Sequence, residues 1–157
     1  MLVSKELFKC IIELIICKGV NVMVNIRAHH FLCMQGFQGY GYSDAFVKRM
    51  NEMVKYIKEN PKDKIRIVNY CDEICSMCKN NTNGICENWE DVNCMDKKLL
   101  SRLNLKNEQE VIIEDVINLV EQEFKSFQDA YHICGNCSWS EKCLWILKFS
   151  REYEKNN

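Results

Sequence analysis

The sequence is poor in residues that break regular structure: its 157 residues hold one proline and six glycines. That excludes a collagenous or loop-built chain. Charge of one sign is missing too, with Lys plus Arg at 21, Asp plus Glu at 22 and a net charge of -1. Neither nucleic acid nor an anionic membrane is therefore expected as a partner. The N-terminal apolar run, Cys10 to Cys17, is broken by Glu13 and closed by Lys18. It falls well short of the ~18 residues a membrane span needs. No small-residue cleavage site follows it, so it makes a poor signal peptide.

What the sequence does have is an apolar fraction of 47%, enough for one core, and eleven cysteines. An odd number cannot all pair within one chain. The chain reads as cytoplasmic, where thiols stay reduced and grouped cysteines usually bind metal. Residues 1–22 are either a leader or an N-terminal extension. Lys18-Gly19-Val20 can be encoded by a ribosome-binding sequence just ahead of Met23, which would make Met23 the true start. Residues 23–157 read as one Cys-rich domain, with no linker or repeat inside it.

The expected fold class is α+β, a mainly helical single domain with a small sheet and two Cys-rich metal-binding loops. Val24 and Ile26 alternate with polar neighbours, as do Ile65 and Ile67, the period of half-buried strands. Between them Ser43 can cap a helix whose stripe is Phe46, Met50, Met53, Val54 and Ile57, stopped at Asn60-Pro61. Strand, helix and strand form a crossover unit, which makes the strands parallel and puts both C-terminal ends on one edge. That edge would carry His29, His30 and Cys33 from the first strand and Cys71 to Cys78 from the second. Further along, Asp96 is expected to cap a short helix. Asn107 with Glu110, and Ser138 with Glu141, have the spacing of capping boxes.

Two segments look alike. Cys75-Ser-Met-Cys78 is followed after seven residues by Cys86, and Cys134-Gly-Asn-Cys137 after five by Cys143. Two residues between thiolates let a tight turn aim both sulfurs at one metal, with backbone N–H groups pointing toward them; a third sulfur one loop away adds a corner. Lys79 and Lys142 would favour the thiolates. Cys94 could be a fourth ligand of the first set, and Cys33 of either. Cys71, ahead of an acidic pair, reads as structural. Triads of cysteine fit an iron–sulfur cluster, 4Fe-4S or 2Fe-2S, better than zinc, which prefers paired C-x2-C ligands. Zinc remains the alternative cofactor. The run Arg27-Ala-His29-His30-Phe-Leu-Cys33 adds His29 and His30 as candidate acid/base or ligand residues, since both sit one helical turn before Cys33.

At these residues the chain resembles a small prokaryotic family. The pattern is Arg27-Ala-His29-His30-x-x-Cys33-x-x-Gly36-Phe37-x-Gly39-x-Gly41-Tyr42-Ser43, then Asp72-x-x-Cys75-x-x-Cys78, Cys86, Asp96, and Cys134-x-x-Cys137-x-Trp139 with Cys143. Members of that uncharacterised family carry the label of iron–sulfur-binding proteins. The resemblance implies a cluster on Cys33, Cys75, Cys78, Cys86, Cys134, Cys137 and Cys143 and supports a start at Met23. It does not extend to Cys10, Cys17, Cys71 or Cys94, and Lys79 stands where members often have proline. The expected function is electron transfer or redox sensing with a redox partner protein. Two other readings remain: a structural zinc module for interactions, and an enzyme whose three-Cys cluster leaves one iron open as a Lewis acid.

Overall fold

The computed structural model describes residues 23–135 and 137–155. The leader-or-extension reading of residues 1–22, with Cys10 and Cys17, lies outside them. The chain enters strand β1 (Val24–Arg27) and passes without a loop into helix α1 (Ala28–Gly36). Helix α2 (Asp44–Glu59) returns it to strand β2 (Lys64–Val68). β1 and β2 are parallel, with Val24 opposite Ile65 and Ile26 opposite Ile67. The strand–helix–strand crossover expected from hydrophobic period is thus present. Ser43 caps α2, its side chain accepting from the Phe46 N–H at 3.2 Å. Phe46, Met50, Met53 and Ile57 face the core, as the stripe implies.

A loop containing a 3-10 turn at Cys75–Met77 and a small hairpin, β3 (Asn81–Thr82) with β4 (Ile85–Cys86), leads to helix α3 (Trp89–Arg102). Strand β5 (Gln109–Ile112) then joins the far side of β2, antiparallel, and completes the order β1-β2-β5. Helices α4 (Ile113–Glu123), α5 (Phe127–Cys134) and α6 (Leu144–Lys155) close the core, with a second 3-10 turn at Ser140–Lys142 before α6. The result is a small α+β domain, mainly helical, with a mixed sheet.

Three local expectations are corrected. Asn107 does not open a helix: its side-chain oxygen accepts from the Asn69 N–H at 2.9 Å, and residues 109–112 pair with β2. α4 starts later because the turn after α2 caps it, Asp63 and Pro61 carbonyls accepting the Ile113 and Glu114 N–H groups at 3.0 and 2.9 Å. Asp96 caps no helix of its own, since α3 begins at Trp89 and Asp96 lies two turns in, fully buried. Ser138 precedes the 3-10 turn and Glu141 lies within it, while the capping box that does form is Ser126 with Asp129, at the start of α5.

A candidate metal centre built on two buried carboxylates

The parallel strands end on one edge, and Asp72 and Asp96 organise what lies there. Asp72 Oδ2 accepts from the Arg27 backbone N–H at 2.7 Å and from His30 Nδ1 at 2.9 Å. Its Oδ1 accepts from the Ile74 and Cys75 N–H groups at 2.9 and 3.0 Å. One carboxylate therefore ties the end of β1 to the first turn of the Cys75 loop. Asp96 reaches across from α3. Its Oδ1 accepts from the His29 N–H at 2.9 Å and meets His29 Nδ1 at 2.8 Å, while Oδ2 pairs with Arg27 Nε at 2.7 Å. An anion on the second N–H of α1 supplies the cap that Arg27, ahead of that helix, does not give.

Burial raises the cost of ionising both acids, yet the opposing contacts win. His30 and the Arg27 and Cys75 N–H groups bring Asp72 down to about 2. Hydrogen bonds and charge from His29 and Arg27 lower Asp96 as well. His29 moves the other way: burial, then the neighbouring His30, lower its pKa, so the pair is a neutral imidazole on an ionised carboxylate. With its Nδ1 donating to Asp96, the neutral His29 ring keeps a free lone pair on Nε2. The two rings stand edge to face, 4.4 Å between centroids.

Donor atoms of His30, Asp72 and Cys75 lie within 4.8 Å of one another, a group that could hold a metal ion. Asp72 already accepts four hydrogen bonds, about the full capacity of a carboxylate. Within this group it acts as the organiser, and Cys75 and His30 are the donors left for a metal.

The nine described cysteines are all free. They are brought together in two groups. In the first, Cys75 and Cys86 are the thiol neighbours of Cys71, and Cys86 and Cys71 those of Cys78. Asn81 binds this group together. Its N–H donates to the Cys78 carbonyl at 3.2 Å, its side-chain amide to the Cys75 carbonyl at 2.9 Å, and it pairs with Cys86 across the hairpin. In the second group the strongest thiol neighbours of Cys33 are Cys134, Cys137 and Cys143. Cys143 Sγ packs where a Cβ on Gly36 would stand, one turn after Cys33 on α1.

The two C-x2-C turns share a detail. The Asn80 N–H points at the Cys78 sulfur and the Trp139 N–H at the Cys137 sulfur, each from two residues beyond the second cysteine. The expectation that N–H groups face the sulfurs describes both loops. Burial pushes the Cys33 and Cys75 thiols well up and Cys134 up to about 12. Burial thus favours the thiol form of Cys33, Cys75 and Cys134, a preference a bound metal ion would reverse.

Cys71, expected to be structural ahead of an acidic pair, neighbours Cys75, and Asp72 of that pair turns inward between them. Asp72 matched the family pattern without an assigned role and Asp96 was expected only as a helix cap, because the partners that matter are 42 to 69 residues away. Cys94 lies exposed on α3. The crossover does place the Arg27–His30 segment beside the Cys75 loop, while Cys33, further along α1, faces the C-terminal loop.

Glu73 adds a testable property of this edge. Its Oε1 accepts only a long bond from the Asn25 N–H, 3.3 Å, and its Oε2 is buried without a hydrogen-bond partner among the described residues. Burial, then the charge of Asp72, raises it from 4.5 to about 7. A raised folded pKa favours the fold below the unfolded value, and that contribution is lost as pH climbs through the folded one. Thermal unfolding followed from pH 5 to pH 8 should show a falling midpoint in the wild type and a flatter profile in Glu73→Gln. Parallel profiles would mean that the carboxylate is ionised in the fold throughout.

The arrangement defines a class: a small Cys-rich α+β domain with buried His–Asp pairs, grouped free thiols and a His–Asp–Cys group that could hold a metal ion. A family model described as a protein of unknown function, DUF1284, matches residues 41–143, and the chain belongs to that family. No curated protein and no solved structure matches it. No helix among the described residues is long and apolar enough to cross a membrane.

Proposed function

We propose that this protein binds iron–sulfur clusters through its grouped cysteines and moves or senses electrons. The observation that carries the reading is the thiol grouping itself. Cys33 meets Cys134, Cys137 and Cys143 from about a hundred residues away, and none of the nine described cysteines is in a disulfide. Cysteine is the ligand of such clusters, and N–H donors directed at the sulfurs tune their potentials. The Cys78 and Cys137 sulfurs receive such donors. Arg27 also fits the group: its guanidinium lies close to the Cys75 thiol, and its buried Nη2 has no oxygen or nitrogen partner among the described residues. A thiolate-held centre with excess negative charge gives that N–H an acceptor.

The cluster, when bound, supplies a one-electron couple. The protein holds the sulfurs, keeps them from bulk water and compensates their charge, and a partner protein exchanges the electron. Protein made and purified without oxygen should be brown and contain acid-labile sulfide with iron. Colourless protein carrying stoichiometric zinc and no sulfide would replace this reading with a structural zinc module.

A further inference from the structure

We infer that the chain builds two separate four-thiolate centres, one from Cys71, Cys75, Cys78 and Cys86 and the other from Cys33, Cys134, Cys137 and Cys143. This rests on the metal reading above and divides its ligands. Each centre has the same parts: a C-x2-C turn, a third cysteine held by the element that follows, and a fourth from the chain preceding the turn or from a distant helix.

In the first centre, Asp72 fixes the backbone between Cys71 and Cys75 by accepting the Ile74 and Cys75 N–H groups. The five residues from Cys71 to Cys75 fold back, which makes the two thiols neighbours. The Asn81–Cys86 pair in the hairpin then returns the last sulfur to the turn. In the second centre, the end of α1 supplies Cys33. Gly36, with no side chain, lets the Cys143 sulfur settle against that helix. Gln38 anchors the approach, its side-chain amide donating to the Lys142 carbonyl at 2.6 Å, one residue before Cys143. Gly135, with φ +53°, turns the chain out of α5 directly after Cys134.

The two centres are neighbours. Tyr42 lies within electrostatic reach of Cys137 and Cys33 of the second group and of Cys78 of the first. Its ring packs edge to face on Trp139, 5.3 Å between centroids. Four thiolates leave no open position on a tetrahedral metal or a cubane. Both centres are therefore closed, which favours electron transfer over Lewis-acid catalysis. His30, held by Asp72, has its donor atom within 4.8 Å of the Cys75 sulfur and so stands beside the first centre.

The test is iron and acid-labile sulfide per chain in anaerobically prepared full-length protein, with electron paramagnetic resonance of the reduced state. Wild type should hold two centres' worth, a measurement that needs no variant, and its reduced spectrum should be broadened or split by coupling between the two. Cys71→Ala and Cys33→Ala should each lose half the iron and sulfide and give a single uncoupled signal, while Cys94→Ala keeps everything. One centre's worth in wild type, with Cys71→Ala unchanged, would overturn the division. Absence of sulfide would instead defeat the cluster reading. Two zinc ions per chain, one lost in each variant, would then still support the two four-thiolate sites, and one zinc lost in both variants would refute them.

Discussion

Asp96→Ala is expected to lower unfolding stability by about 3–5 kcal/mol, the range for removing one partner of a buried ion pair. Asp96 is 0% exposed, and three groups depend on it: the Arg27 guanidinium, the His29 ring and the His29 N–H. Without it Arg27, itself 1% exposed, keeps its charge with no counter-ion in contact. Water cannot reach it cheaply, and stacking over Trp89 at 5.7 Å replaces little of the loss. α1 also loses the acceptor at its N-terminus. Asp96→Asn keeps an oxygen for the His29 N–H but removes the charge, so it should cost less than Ala. Urea unfolding of the two variants against wild type reads the difference. A loss below about 1 kcal/mol in Asp96→Ala would mean that Arg27 finds another partner, and that Asp96 is not the hub of this edge.

The crossover half of the fold was open to sequence reasoning because its signals are local. Alternation in Val24–Ile26 and Ile65–Ile67, one Ser cap and one stripe fix β1, α2 and β2, and the parallel pairing follows from the length of the connection. β5 was not legible. Val111 and Ile112 fit a helical stripe with Val116 and Val120 as well as they fit a strand, and only the pairing of Ile65 with Val111 decides between them. The C-x2-C turns were visible in the spacing, for a tight turn is a local property. Their fourth partners were not, since Cys33 belongs to whichever loop α1 happens to approach. Asp96 misled for the same reason: a buried acid in mid-helix and an N-cap look alike until the residues facing it, Arg27 and His29, are known.

Gly36→Ala is expected to strip one centre without touching a ligand. A Cβ on Gly36 would collide with Cys143 Sγ and stand 3.0 Å from the Trp145 nitrogen and 3.1 Å from its Cβ. Two of those three atoms belong to the stiff first turn of α6, so the strain falls on the sulfur. Displacing Cys143 separates it from Cys33, and overpacking of this kind costs about 1–3 kcal/mol besides. Purified without oxygen, Gly36→Ala should keep the iron and sulfide held by Cys71, Cys75, Cys78 and Cys86 and lose the other half. Gly39→Ala is the control. Its φ of +93° strains any side chain, yet nothing stands within 4 Å of the added methyl, so it should cost stability while leaving the metal content whole. Full metal content in Gly36→Ala would show that Cys143 has room to hold its ligand position, and that the close approach of α1 to α6 does not define the second centre.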